Sequence, residues 1–222
     1  MTKKISIAVI LCLGIAFLVG AYCNSDSKTT HAVVTKGGLE LTKDGDVIFQ
    51  TSESSQCEAV RIATRSKFSH CGIIFTKDDE KYVLEAVQPV KITPLNEWIK
   101  HGKGNCYLVK RMKDTLVLNN QKLTAMRLEG TQMLNKDYDL FFEWNDDKIY
   151  CSELVWKIYK RGANITLCKE QLLNSFNLKD PKVQTILKQR YGNNIPLREK
   201  VVAPSQLAES TVLETIIDTY TF

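Results

Sequence analysis

The sequence has few histidines and lacks the common metal-binding and cofactor-binding motifs. It has only three histidines in 222 residues and no Cys-x-x-Cys or His-Glu-x-x-His motif, so a zinc site is not expected. The phosphate-binding P-loop is absent, and Gly102-Lys103-Gly104 is too short for a dinucleotide-binding loop. The Gly-x-Ser-x-Gly motif of serine hydrolases is absent as well. We therefore expect a protein that works without a metal or cofactor.

The sequence also lacks any block of five or more like charges. Two of its 30 basic residues, Lys3 and Lys4, lie in an N-terminal segment with the character of an export signal, which leaves 28 basic and 25 acidic residues elsewhere. This excess is too small and too evenly spread to indicate nucleic-acid binding. A hydrophobic content of 44% with 25% charged residues is typical of a packed globular domain and excludes a disordered chain.

The first 22 residues have the pattern of an export signal. Residues 1–4 are a short basic start, residues 5–22 are apolar apart from Ser6, and the chain then turns polar. Three alternatives stay open: cleavage after Ala21, an uncleaved membrane anchor, or a lipoprotein acylated on Cys23. Each places the body of the protein outside the cytoplasm, in the periplasm or the cell envelope, and two of them attach it to a membrane. We expect a signal over residues 1–22, a polar tether over 23–38 and one domain over 39–222.

Five cysteines lie in the predicted domain: Cys57, Cys71, Cys106, Cys151 and Cys168. Because five is odd, at least one thiol is left over in an oxidising compartment or pairs between chains. The sequence favours no particular disulfide pairing and indicates no oligomeric state. A thiol that is left over is a candidate nucleophile.

Hydrophobic periodicity predicts an α+β domain in which a small antiparallel sheet packs against helices. Strands are expected over residues 47–49, 68–75, 82–87 and 106–111, and helices over 52–65, 119–134 and 151–161, the last ended by Gly162. The final fifty residues mix helical and loop patterns, and prolines at positions 181, 196 and 204 interrupt them.

Cys151 is the best-placed thiol because it opens a predicted helix. The unpaired N–H groups and the positive end of the helix dipole lower the pKa of a thiol at that position. A thiol nucleophile also needs a base. His70 is the one histidine inside an apolar strand, so it is the candidate base.

The register of the predicted hairpin decides whether His70 has a carboxylate partner. If Asp78-Asp79 form a two-residue turn, Glu85 lies diagonal to His70; if Lys77-Asp78 form it, Glu85 faces His70 directly. Either even-length turn puts both side chains on one face, whereas an odd-length loop without a bulge would separate them. Glu85 is flanked by apolar residues and needs a partner, which favours the pairing with His70.

Four short motifs, in this order, resemble the YiiX/YebB-like branch of the NlpC-type cysteine hydrolases. They are Gly45-Asp46-Val47-Ile48-Phe49, Ser69-His70-Cys71-Gly72-Ile73, Leu84-Glu85-Ala86 and Tyr150-Cys151-Ser152-Glu153-Leu154-Val155. Arg190-Tyr191-Gly192 resembles the same branch, and the similarity runs from about residue 40 to 217. In this branch the papain-like order is permuted, so that the histidine precedes the cysteine.

The resemblance implies a permuted papain-like fold with Cys151 as nucleophile, His70 as base and Glu85 as the third member. It implies hydrolysis of an amide bond, in a cell-wall peptide or in an amino-acid or acyl amide. Cys71 stands where an aliphatic residue is expected in this family, and we expect this difference to affect packing more than chemistry.

Aromatic residues near the candidate nucleophile could form a substrate cleft. Tyr138, Phe141, Phe142 and Trp144 are candidate walls, and Tyr150 is a candidate donor to the oxyanion. Two alternative functions stay open: a lipid acyl hydrolase or acyltransferase with the same Cys–His set, which an apolar groove beside Cys151 would favour, and a non-catalytic binding module. In each case the expected partner is a small molecule or peptide.

Overall fold

The computed structural model describes residues 38–220. The predicted export signal over 1–22 and nearly all of the predicted tether over 23–38 lie outside the described residues. Within them, no helix is long and apolar enough to cross a bilayer. The strands are β1 Val47–Gln50, β2 His70–Lys77, β3 Glu80–Glu85, β4 Lys91–Pro94, β5 Tyr107–Met112, β6 Gln171–Leu172, β7 Lys200–Val201 and β8 Leu213–Asp218. The helices are α1 Ser55–Thr64, α2 Leu95–Lys100, α3 Asn120–Met133, α4 Cys151–Ala163, α5 Pro181–Tyr191 and α6 Pro204–Ala208.

Six strands form one antiparallel sheet in the order β4-β3-β2-β1-β5-β8, and β6 and β7 form a separate two-stranded ladder. The sheet separates two apolar layers. On one face, α3 and α4 bury Met126, Leu154 and Ile158 against the strands, in the main core. On the other face, α2 buries Leu95 and Trp98. The predicted α+β class is confirmed, with a larger sheet than expected.

The β2–β3 hairpin has the first of the two predicted registers. Ile73 pairs with Leu84, and Asp78 and Asp79 form the two-residue turn with φ angles of 50° and 60°. Positive φ at both central residues is the turn geometry whose twist matches that of the flanking strands, and aspartate tolerates it. The register therefore places His70 and Glu85 on one face.

Helix α4 is longer than predicted because Gly162 does not end it. The helix runs to Ala163, and Asn164 in the left-handed conformation forms its C-cap. A Cβ atom on Gly162 would lie 2.6 Å from the Cα of Met126 in α3. The glycine is therefore needed for the close approach of two helices rather than for a helix terminus, and the prediction from local sequence was wrong.

Helices α1 and α5 form a third apolar cluster, which is separate from the main core. Ala59 on α1 packs against Val183 and Leu187 on α5, with partly buried neighbours around them. Ser54 caps α1 through its side chain, and Asp180 caps α5 in the same way. The paired helices form a wall beside the first residue of α4, where the candidate nucleophile lies.

Candidate active site

Cys151 is the first residue of α4 and is only 4% exposed. The preceding Tyr150 is the N-cap residue, and its backbone N–H donates to the Glu153 carboxylate at 3.4 Å. This contact satisfies one donor at the helix start and fixes how the chain enters the helix. All five cysteines in the described part of the chain are free thiols.

His70 and Glu85 form a buried pair, as the hairpin register predicted. His70 Nε2 lies 2.6 Å from Glu85 Oε2. Glu85 also accepts hydrogen bonds from Thr93 Oγ1 at 2.6 Å and from Trp98 Nε1 at 2.8 Å. Three contacts hold this carboxylate, and because Nε2 of the imidazole is occupied, Nδ1 is the nitrogen left for Cys151.

The pKa shifts describe an ion pair between Cys151 and His70. Burial lowers the pKa of His70, but hydrogen bonds to Cys151 and Glu85 outweigh it and raise that pKa to about 10. Burial raises the pKa of Glu85, and the hydrogen bonds from His70, Thr93 and Trp98 bring it below its ordinary value. The pKa of Cys151 is well below that of an ordinary thiol, owing first to a hydrogen bond from Cys71 and then to His70. These shifts favour a thiolate beside an imidazolium.

Cys71 takes part in the electrostatics of the site, which sequence reasoning did not anticipate. It follows His70 in β2, and its buried side chain lies on the sheet face that carries α4. Burial and the neighbouring Cys151 raise the pKa of Cys71 well above the ordinary value, which favours a protonated Cys71 thiol beside Cys151. Cys71 therefore has a contact with the candidate nucleophile in addition to its part in the packing of the core.

Cys151, His70 and Glu85 line a cavity of about 480 Å³. Much of its wall is apolar and comes from α1, α5 and the chain between α4 and α5: Ala59, Val60, Ala63, Leu173, Phe176, Leu178, Val183, Ile186 and Leu187. Polar side chains are fewer, and Gln50, Gln56 and Arg190 are among them. A cavity of this size and lining is typical of a site for a small, largely apolar molecule.

The predicted aromatic wall is present only in part. Tyr138, Phe142 and Tyr150 line the cavity, and Tyr150 Oη accepts a hydrogen bond from the Val202 backbone at 3.1 Å. Trp144 is not among the lining residues; it packs edge-on against Trp156, with ring centroids 5.2 Å apart. Phe141 packs against Tyr191 at the surface, so alternate members of this loop point in different directions.

Several residues of the site carried no sequence signal strong enough to identify them. Thr93 and Trp98 hold Glu85 but come from β4 and α2, which only the folded sheet brings to it. Gln56 donates to the Tyr138 hydroxyl at 3.2 Å and accepts from Arg190 at 2.6 Å. Arg190 lay in a motif that resembles the family, and that motif was the one available signal.

Known proteins resemble this chain in sequence and in fold. The YiiX protein of Escherichia coli (strain K12) is 43% identical over 172 residues, which cover 78% of this chain and 84% of that protein. The crystal structure of the metalloprotein yiiX from Escherichia coli O157:H7 matches with a TM-score of 0.78 and 41% identity, covering 81% of this chain and 98% of that one. In residues 38–220 no group of three His, Cys, Asp or Glu side chains is placed to hold a metal, so the residues described here do not fit a metal centre.

A family model agrees with these matches. Residues 41–217 match the model of the permuted papain-like amidases of the YaeF/YiiX type, peptidase family C92. His70 and Glu85 precede Cys151 in the chain, which is consistent with a permuted papain-like order. The six-stranded antiparallel sheet with its flanking helices agrees with the solved structure. This chain therefore belongs to the YaeF/YiiX family of permuted papain-like amidases.

Proposed function

We propose that the protein is an exported cysteine hydrolase that cleaves the amide bond of an acyl amide through a thioester on Cys151. One observation carries the proposal: the buried set of Cys151, His70 and Glu85 opens onto a largely apolar cavity. The set supplies a nucleophile, a base and a group that orients the base, which is the arrangement that covalent acyl transfer requires.

The reaction has two halves. The Cys151 thiolate attacks the carbonyl carbon, a C–S bond forms, and the C–N bond breaks as His70 passes its proton to the departing amine. Water then gives a proton to His70 and attacks the thioester, which releases the carboxylic acid and restores the thiolate. Glu85 stabilises the imidazolium in both halves and keeps Nδ1 directed at the reacting atoms.

Two donors are available to the oxyanion. The backbone N–H of Cys151 lies in the first turn of α4, where it has no partner within the helix. The Tyr138 hydroxyl is the second: burial and the neighbouring Cys151 raise its pKa well above the ordinary value, so it keeps its proton. Because Gln56 donates to this hydroxyl, the phenolic proton itself is free to point elsewhere. Tyr138 is therefore favoured over Tyr150, whose hydroxyl faces the Val202 backbone.

The lining of the cavity favours an acyl amide over a cell-wall peptide. Burying one methylene group contributes about 0.8 kcal/mol, so a chain of several carbons gains substantially from the walls formed by α1 and α5. The same lining favours a second candidate, an acyl ester, because a thiolate attacks both kinds of carbonyl.

Hydrolysis by the purified full-length chain tests the proposal. We expect release of fatty acid from N-acyl amino acids at a rate that rises with chain length until the cavity is filled, and no release by the Cys151→Ala variant. A panel of cell-wall peptides and matched acyl esters identifies the substrate class. Absence of Cys151-dependent turnover of acyl amides, cell-wall peptides and acyl esters alike would favour the non-catalytic binding module.

Export is part of the proposal and rests on the pattern of residues 1–22. The mass of the mature chain isolated from cells distinguishes the three N-terminal alternatives. Cleavage after Ala21, diacylation and trimming at Cys23, and an intact N-terminus differ by hundreds of daltons or more. An intact chain recovered from the cytoplasm would contradict export.

A further inference from the structure

Arg190 lines the same cavity from the C-terminal end of α5. It follows Val183 and Leu187 at helical spacing, so these three side chains share the face that is directed toward α1. The face thus begins with apolar side chains and ends in a guanidinium. An apolar chain that lies along it would end beside a positive charge.

The guanidinium is half-buried and has few partners. Its Nη2 donates to Gln56 Oε1 at 2.6 Å, and its centre lies 5.3 Å from the centroid of the Phe142 ring. Within residues 38–220 it forms no ion pair with a carboxylate. A guanidinium has five N–H donors, so most of them remain for a ligand. Burial lowers the pKa of Arg190 more than the nearby Tyr138, Tyr191 and Asp139 raise it, which is the direction expected of a partly desolvated cation.

The acidic side chains of the cavity already have other partners. Glu85 is paired with His70, and Glu53 lies 3.4 Å from Lys103 at the exposed rim. Asp139 is near Arg190 but accepts hydrogen bonds from the backbone N–H groups of Phe141 and Glu143 and forms no ion pair with the guanidinium. A partly desolvated cation without a carboxylate in direct contact costs free energy that a bound anion would recover. The planar fork of arginine matches a carboxylate, to which it can donate two parallel hydrogen bonds.

We propose that Arg190 binds a carboxylate of the substrate, so that the protein selects acyl compounds that carry a free acid group. This subsite belongs to the proposed active site, and the acyl nature of the apolar part of the substrate rests on the proposed function. Through Gln56, Arg190 is connected to Tyr138, which places the anion subsite beside the proposed oxyanion donor. Arg190 is a specificity residue in this account and takes no part in bond cleavage.

Binding to the full-length Cys151→Ala protein tests the proposal without turnover. The probes are N-dodecanoylglycine and N-dodecanoylglycinamide, which share the acyl chain and differ in charge. We expect the acid to bind about ten to one hundred times more tightly than the amide, which is the range expected of a hydrogen bond to a charged group. Adding Arg190→Gln should bring the two affinities within a factor of about two, and Arg190→Lys, which keeps the charge but loses the fork, should give an intermediate ratio.

The control is Lys188→Gln, which removes a positive charge from the exposed side of the same helix and should leave the ratio unchanged. Thermal melting of each variant identifies any loss of fold. If Arg190→Gln does not fold, the ratio of acid affinity to amide affinity in Arg190→Lys decides. An equal affinity of acid and amide for the parent protein, a preference that survives Arg190→Gln, or no measurable binding of either probe would each overturn the proposal. Hydrolysis of neutral acyl amides by the active enzyme reports separately on the proposed function.

Discussion

The reactivity of Cys151 tests the site without knowledge of the substrate. At pH 6 an ordinary thiol with a pKa of about 8.5 is roughly 0.3% ionised, whereas a thiol held as a thiolate is almost fully ionised, which is a difference of roughly 300-fold. The nucleophilicity of a thiolate falls with its pKa and offsets about half of that factor on a logarithmic scale. We therefore expect Cys151 to react roughly tenfold faster than an ordinary thiol at pH 6.

The assay is brief alkylation of the native full-length chain with iodoacetamide, followed by mapping of the labelled peptide by mass spectrometry. Two of the other thiols are poor competitors, and Cys57, which lines the same cavity, is the internal comparison. Burial raises the pKa of Cys168 to about 12, and burial together with Cys151 raises that of Cys71. Cys151 should accordingly be labelled first, even though its side chain is almost wholly buried.

Replacing His70 with alanine removes the imidazolium and should abolish most of this advantage. His101→Ala is the matched control, because His101 also lines the cavity and is not among the groups that shift the pKa of Cys151. Labelling of another cysteine first would refute the assignment of the nucleophile. An equal rate with and without His70 would refute the ion pair.

Four further predictions concern the site, the stability and the boundary of the domain. Glu85→Gln should keep the fold and lower both turnover and the alkylation rate, since the amide cannot stabilise the imidazolium; unchanged turnover would exclude Glu85 as the third member. Cys71→Ala should move the pH midpoint of Cys151 alkylation upward, because it removes the donor to the thiolate. Burial raises the pKa of Glu153 from 4.5 to about 7, so between these pH values the folded protein holds a proton that the unfolded chain has lost. The free energy of unfolding should therefore fall as the pH rises from 4.5 to 7. In urea melts, Glu153→Gln should remove up to about 1.4 kcal/mol per pH unit of that slope. A chain that begins at about residue 30 should be soluble and unfold cooperatively, and insolubility of this shortened chain would show that the domain boundary is wrong.

Local signals were sufficient for the parts of the site that short-range rules determine. Both even-length turns that the sequence allowed put His70 and Glu85 on one face, and the helical pattern after Cys151 placed the thiol at a helix start. These elements depend on residues within about fifteen positions of one another. Turn chemistry and helix periodicity determine such structure directly.

Features that depend on distant contacts could not be read from the sequence. Strand β8 was expected to be part of a mixed helix and loop region, because its pairing with β5 spans about a hundred residues and contains an irregularity at Val109 and Lys110. The contact between Cys71 and Cys151 likewise joins a strand to a helix eighty residues away. Gly162 has the sequence signature of a helix end, and only the approach of α3 shows its different role.

The separation of the α1–α5 cluster from the main core has a consequence for how the molecule opens. The first turn of α4 belongs to the main core, and α4 is held against α3 by the close approach at Gly162. The α1–α5 pair has its own small apolar cluster, and segments with less buried apolar surface open at a lower free energy. Amide hydrogens of α5 should therefore exchange with solvent by local opening, while those of α4 exchange only when the whole domain unfolds. The α1–α5 wall of the cavity can thus fluctuate as one cooperative unit, while the main core holds Cys151 in place.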